Sequence, residues 1–349
     1  MSPSSSPITT RLGVLFASII VILAACSSGT ASQVPSATAL AAVPTPTAAA
    51  TALATATPTP APAFPATLTD DEGTAVALKA EPQKVVSLTP AVTETLFAVG
   101  AGDRVVATDD SSDYPAEAKA LPDVVTFGTV DVEKIVALEP DLVIAGGAGF
   151  TSAESIAKLR SLGIPVLVVS TPSIDGIYKD IELVGTAVGE ADAATALTAK
   201  MRTDMTAIAT AAKAESAKAA KPPRVLYDVG YLDSTGQIFA PGEGSFLAEM
   251  LGTLGVDVIT GDKITYEIPL ETLVTRDPEV IILGTNAFYS PTPESIAKRA
   301  GWSKLTAVKN GDVRTVSDTE ITRPGPRLAT GMRNLALAMY PDLVLPPAS

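Results

Sequence analysis

The chain has 349 residues, with 38 acidic side chains against 25 basic, no histidine and one cysteine, and at roughly 100–200 residues per domain it has room for two. Hydrophobic residues make up 46%, which supplies real cores, while a net charge of −13 offers no broad field to a phosphate backbone, so nucleic acid is not an expected partner. The missing histidine excludes a Ser-His-Asp triad, an HExxH site and histidine-ligated zinc or haem, and one cysteine makes neither an intramolecular disulfide nor a thiolate cluster, so no metal site is expected.

Arg11 precedes an apolar stretch, Leu12 to Ala25, that ends at Leu23-Ala24-Ala25-Cys26. A basic residue, a short apolar core and small residues before a cut site describe a secretory signal over 1–26. The run is short for a membrane span, which needs about 20 residues. The L-A-A-C sequence resembles the bacterial lipobox, which implies that Cys26 is lipidated and becomes the mature N-terminus. Several acyl chains anchor stably where one does not. Residues 27–65 are rich in Ala, Thr, Ser and Pro and carry no charge. Repeated proline keeps such a segment extended, so it reads as a tether.

From Lys84 the pattern becomes strand, helix, strand. Val85–Leu88, Val105–Ala107, Leu142–Ala145 and Pro165–Val169 are short apolar runs suited to buried strands. Helices are expected over Thr93–Val99, Glu133–Leu138 and Ala153–Ser161, the last with Ser152 as its cap. That rhythm predicts a parallel α/β sheet. The segment from Val132 to Gly146 lines up without gaps on Leu270 to Gly284, and Glu94 to Gly100 on Glu249 to Gly255, so two related lobes are expected, over 66–172 and 221–349. Between them, 173–220 reads as a helical bridge. Asp175–Val188 is helical, and Glu190–Ala220 has no internal Pro or Gly and would span roughly 45 Å. The expected fold is therefore α/β, with two parallel-sheet lobes joined by one long bridging helix and a ligand cleft between the lobes.

Ligands of α/β sheets bind beyond the carboxyl ends of the strands. Here those ends are Thr89 and Pro90, Ser111 to Tyr114, Gly146 to Phe150, Tyr231, Phe288 and Tyr289, and Asp318 to Arg323. Aromatic planes with a few polar groups suit a large, partly apolar ligand.

Two lobes, a helical bridge and a lipid tether resemble the helix-backbone class of ABC-transporter substrate-binding proteins, and within it the vitamin B12-binding family. The resemblance runs from about Lys84 to Leu343. It is carried by V-S-L-T-P-A-V-T-E from Val86 to Glu94, S-D-Y-P from Ser112 to Pro115, V-E-K-I-V-A-L-E-P-D-L-V-I from Val132 to Ile144, and R-P-G-P-R from Arg323 to Arg327. It implies a monomeric, extracytoplasmic receptor that delivers cobalamin or another corrinoid to a permease and its ATPase, with no cofactor of its own. It places Phe127, followed by Gly128, where the B12 binders carry a tryptophan against the corrin. Asp318 and Arg323 match the final pocket loop. Gly146 stands where another tryptophan would be, which would leave room for a different or bulkier ligand. Glu133 and Glu249 match the glutamates that engage permease arginines; the internal repeat pairs Glu133 with Glu271 instead.

A ferric siderophore or haem is the alternative ligand, with Tyr114 or Tyr231 available to iron. An enzyme is not expected, since the chain has no GxSxG, and Gly146-Gly147-Ala148-Gly149 is not a GxGxxG fingerprint. An adhesive lipoprotein would need no apolar cleft.

Overall fold

The apolar runs of the sequence become central strands whose alternate side chains enter different cores. A computed structural model describes residues 64–147, 149–170, 172–260, 267–286 and 289–349. The signal segment, Cys26, the tether up to residue 63 and Phe288 lie outside the described residues. Phe64, assigned to the tether from the sequence, instead packs against the largest core.

The N-terminal lobe runs β1 (Ala66–Thr69), β2 (Ala75–Leu78), β3 (Val85–Ser87), α1 (Pro90–Ala98), β4 (Val105–Asp109), β5 (Asp123–Thr126), β6 (Thr129–Val130), α2 (Val132–Leu138), β7 (Leu142–Gly146), α3 (Ala153–Ser161) and β8 (Val166–Val169). Its six-stranded sheet has the order β6-β5-β4-β3-β7-β8. All neighbours are parallel except the β5–β6 hairpin at the edge. Two helices follow, α4 (Ile174–Ala187) and α5 (Ala191–Ser216). The C-terminal lobe runs β9 (Arg224–Asp228), β10 (Gly230–Leu232), β11 (Gln237–Phe239), α6 (Phe246–Thr253), β12 (Asp257–Val258), β13 (Glu267–Ile268), α7 (Leu270–Arg276), β14 (Val280–Thr285), α8 (Pro293–Ile296), α9 (Thr306–Asn310), β15 (Val313–Ser317), α10 (Thr319–Thr322) and α11 (Leu328–Met339). Strands β12-β9-β14-β15 form a parallel sheet. An antiparallel sheet, β10-β11-β13, stands beside it.

Period-two alternation explains the packing. Val85, Leu142 and Ile144 enter one core with Val225, Tyr227, Val280 and Ile282, so both sheets share it through α4, α5 and α11. Val86, Val143 and Ala145 face a second core in the N-terminal lobe. Leu226, Ile281 and Leu283 face a third in the C-terminal lobe.

The single bridging helix expected over 173–220 is two helices. Val188 and Gly189 break it, and Gly189 turns the chain at a φ of 80°. The second helix has 26 residues, roughly 39 Å at 1.5 Å per residue. It stops at Ser216, short of the expected Ala220. The two helices run antiparallel, with Arg202 on Asp175 and Thr198 on Glu182. A Cβ on Gly185 would overlap the Ala194 Cβ, so only glycine allows this approach.

The internal repeat extends to hydrogen bonds. Both α2 and α7 end on a non-glycine residue in the left-handed region, Glu139 at φ 49° and Asp277 at φ 43°. A proline follows each. The next acid then pins the start of the neighbouring strand: Asp141 accepts from the N–H of Gln83 and of Lys84, and Glu279 from the N–H of Arg224.

Candidate ligand-binding cleft

A cavity of about 750 Å³ lies beyond the carboxyl ends of β3, β4, β7 and β8. Thr89, Pro90, Ser111, Gly128, Gly146 and Arg323, all anticipated from the sequence, line it. One face of α4, Phe246 at the start of α6 and the Thr322–Pro324 turn close the other side. The volume falls in the range of small-molecule sites.

A chain of buried polar groups joins two lining residues, Thr89 and Asp109. The Ser87 hydroxyl donates to the Thr89 carbonyl, Thr93 joins Ser87 and Ser112 at 2.8 Å each, and Ser112 donates to Asp109. Asp109 also accepts from the Ser111 N–H. Burial pushes the Asp109 carboxyl above the usual range, while Ser112 and the Ser111 N–H pull it down. The chain fixes the ends of β3 and β4 relative to α1.

Phe127 and Gly128 form the two-residue turn of the β5–β6 hairpin, at φ 48° and 76°. Such turns favour Asn-Gly, and a bulky residue there is strained. Asp110 holds it, accepting from the Phe127 N–H at 2.8 Å. The result is a ring 91% exposed, beside the cavity-lining Gly128.

Gly146 does not leave the space the sequence suggested. A Cβ there would meet the Phe150 Cβ and Thr89 Cγ2 at 2.9 Å each. Phe150 occupies that wall, held by a turn in which its N–H and that of Thr151 donate to the Gly147 carbonyl. Its side chain is 62% exposed and lines the cavity. Phe150 belongs to the loop after β7 that the sequence placed at the strand ends, whereas Phe246 is a lining residue that sequence reasoning missed.

Arg323 is committed to the other lobe. It donates to Glu94 at 2.9 Å, to Asp113 at 2.6 Å and to the Ser111 carbonyl at 3.0 Å. Arg327 also binds both oxygens of Glu94, at 2.9 and 2.6 Å, reaches Glu320 at 3.1 Å and stacks 4.3 Å over the Tyr114 ring. The hydrogen bond to Glu94 holds Arg327 above its ordinary pKa. Glu94 is 3% exposed. It is a buried carboxylate of one lobe satisfied by two guanidinium groups of the other. The sequence displayed Glu94 and Arg327 inside motifs without showing that they meet.

Four expected site residues stand outside the cavity wall: Phe127 beside it, and Tyr114, Tyr231 and Asp318 elsewhere. Tyr114 lies under Arg327. Tyr231 packs edge-on against Trp302, with Arg299 at 3.9 Å from its ring. Asp318 is buried, receives the Asn286 amide at 3.2 Å, and is raised above the usual carboxyl range by that burial. Beyond them, Arg299 binds Asp228 at 2.6 Å and Tyr289 at 2.7 Å, away from the cavity. Burial lifts the Asp228 carboxyl, against the pull of Arg299.

Of the charged candidates on the surface, Glu133 and Glu271 are exposed in the first turns of the matching helices α2 and α7. Glu249 differs. Its carboxylate accepts from the Ile174 N–H at 2.8 Å and so helps cap α4, where Ser173 takes the Gly176 N–H.

Residues 85–319 match the family described as periplasmic binding protein. An uncharacterized ABC transporter substrate-binding lipoprotein of Bacillus subtilis (strain 168), YvrC, is 35% identical over 284 residues, covering 80% of this chain and 87% of that one. A cobalamin-binding protein of Halobacterium salinarum is 31% identical over 289 residues, covering 80% and 75%. The solved apo structure of the periplasmic heme-binding protein RhuT from Roseiflexus sp. RS-1 superposes with a TM-score of 0.66 at 25% identity, covering 74% of this chain and 98% of that one. The two-lobed fold and the length of these matches agree: the chain belongs to the periplasmic binding protein family.

Proposed function

We propose that the protein is the extracytoplasmic receptor of an ABC importer, and that it captures a corrinoid and delivers it to a permease and its ATPase. One observation carries the ligand reading: a cavity of about 750 Å³ lined by Phe150 and Phe246 among hydroxyl and carboxylate groups, with Phe127 exposed in the turn beside its Gly128 wall. It presents flat apolar contact and scattered polar contact to one large ligand. The cobalamin-binding relative supports it. The haem alternative draws support from the heme-binding neighbour, but among the described residues no tyrosine lines the cavity to ligate iron.

The anchor is a lipidated Cys26, and replacement by Ser should release the protein from membranes. Docking uses Glu133 and Glu271, one exposed carboxylate at the same place in each lobe. Glu249 is dropped from this role because it caps α4. The purified protein, mixed with cyanocobalamin, cobinamide, haemin and ferric chelates, should retain corrinoid absorbance after desalting. Retention of haemin or a ferric chelate alone would overturn the ligand reading.

A further inference from the structure

The turn that joins β1 to β2 is built by Asp70 and Gly73. Asp70 accepts from the N–H of Glu72 and of Thr74, and Gly73 closes the turn at a φ of 77°. Asp70 is buried and also binds Arg160 at 2.6 Å. Asp71 makes neither of these contacts. Among the described residues, both of its hydrogen bonds leave the hairpin: its N–H donates to the Val168 carbonyl at 3.1 Å, and its carboxylate accepts from the Ser170 N–H at 2.6 Å. Strand β8 is an edge of the six-stranded sheet, where unpaired backbone groups need cover. Asp70 and Asp71 supply it at Val168, and the Asp71 carboxylate reaches one residue past the end of the strand.

That residue, Ser170, lines the cavity. Its side chain lies against the α-carbon of Gly147: a Cβ on Gly147 would overlap the Ser170 Oγ, so only glycine permits the contact. The Gly147 carbonyl in turn accepts from the Phe150 and Thr151 N–H groups, at 2.8 and 3.0 Å, and Phe150 lines the cavity. A continuous line of contacts therefore runs from Asp71 through Ser170 and Gly147 to Phe150. The Phe150 ring is largely exposed, so the turn that carries it, more than packing around it, sets its place. A ring fixed before the ligand arrives loses less freedom on binding. We infer that Asp71 is a positioning residue for ligand capture: from outside the cavity, the β1–β2 turn holds Ser170 and, through Gly147, the Phe150 ring in the cavity wall. The inference rests on the reading of this cavity as the ligand site and deepens it.

The test uses the purified full chain with Asp71→Ala, Asp71→Asn, Phe150→Ala and the Asp71→Ala, Phe150→Ala double variant. Without ligand, Asp71→Ala should speed amide hydrogen exchange at Phe150 and Thr151 about threefold or more, the size of one hydrogen bond. Asp71→Asn keeps an oxygen that accepts from the Ser170 N–H, and should match the wild type within about twofold. In titrations with cyanocobalamin, Asp71→Ala should bind about three- to fivefold more weakly. In the Phe150→Ala background that loss should shrink to about twofold or less, because both residues act along one line of contacts. Exchange at the wild-type rate in Asp71→Ala overturns the inference. So does an affinity loss of the same size with and without the Phe150 ring, or an Asn variant as weak as the Ala variant, which would make charge the cause in place of the hydrogen bond. If cyanocobalamin does not bind the wild type, the corrinoid reading fails, and the exchange rates alone decide whether Asp71 holds the wall.

Discussion

In the N-terminal lobe, β3, β4, β7 and β8 all end on the cavity, and each end is dressed with hydroxyls, a tight turn or an aromatic ring. In the C-terminal lobe, β9 ends in Asp228, which is closed off by Arg299 and Tyr289, and β14 runs toward Asn286 and its bond to Asp318. That lobe reaches the cavity through α6 and the turn after α10 instead. Yet both lobes share one helix–proline–strand unit with the same left-handed cap and the same acid pinning the next strand. The shared unit builds the sheets and sets matching glutamates on the surface. The cavity is lined by loops that leave the strands, and there the lobes have diverged.

The two buried ion networks give the largest expected effects. Asp228→Ala leaves Arg299 buried with, among the described residues, only Tyr289 as a polar partner, and should cost about 3–5 kcal/mol in denaturant unfolding. Glu94→Ala should cost less, about 3 kcal/mol or below, because Arg323 keeps Asp113 and Arg327 keeps Glu320. The two differ in a second readout. Glu94→Ala removes one of the two carboxylates that hold Arg323 at the cavity wall and should change ligand affinity, whereas Asp228→Ala, in any fraction that stays folded, should not. Equal effects on affinity would mean that the Asp228 network also shapes the cleft.

Aromatic truncation sharpens the contrast at the cavity. Phe127→Ala should weaken ligand binding by about 1–3 kcal/mol, measured by titration. It should not lower stability, because the ring is exposed in the free protein and sits at a strained φ. Unchanged affinity would remove the hairpin turn from the binding surface.

The matched glutamates test the shared part of the lobes. Glu133→Ala and Glu271→Ala should each reduce transport while the ligand dissociation constant stays within about twofold, a few tenths of a kcal/mol. Glu249→Ala should instead lower stability by about 0.5–1 kcal/mol through loss of a helix-terminal partner. If Glu249→Ala abolishes transport at full stability while Glu271→Ala transports normally, the repeat is the wrong guide to the docking face.

How far the sequence discloses this arrangement depends on the range of the interaction. Strand runs such as 142–145 and the Ser152 cap of α3 are local, and both stand where periodicity and capping rules put them. The break at Gly189 is visible too, since it separates the two helical stretches; their folding back on one another depends on the Gly185–Ala194 contact, which composition does not show. The strands β10, β11 and β13 are two or three residues long and leave no periodic pattern to find. At the cleft, residues directly after strands are legible. The Glu94 pairings with Arg323 and Arg327 are not, because they join positions 229 and 233 residues apart. Tyr231 departs from expectation for a related reason: an aromatic after a strand can turn inward, and here Trp302 and Arg299 receive it.

The smallest effect separates the two left-handed caps. Glu139 and Asp277 occupy the same place in the repeat, at φ 49° and 43°. Glycine removes the Cβ clash that side chains suffer there. Glu139→Gly should therefore raise stability by about 0.5–1 kcal/mol. Asp277 does more than turn the chain. It accepts from the Thr306 hydroxyl at 2.6 Å and from the Thr306 N–H at 2.7 Å, anchoring the start of α9. Asp277→Gly gains the same backbone relief and loses both bonds, so its net effect should be neutral or destabilising. Acid distinguishes them further. The Thr306 hydroxyl, opposed by partial burial and helped by the Thr306 N–H, holds the Asp277 carboxyl below its ordinary value. A carboxyl depressed in the folded state contributes stability that is present above its unfolded pKa and is lost as pH falls through the folded one. The wild type and Glu139→Gly should lose this contribution below about pH 4, while Asp277→Asn should show a shallower decline of stability over that range in denaturant titrations at stepped pH. Parallel pH profiles for Asp277→Asn and wild type would mean that the Thr306 bonds hold the turn without favouring the charged carboxylate.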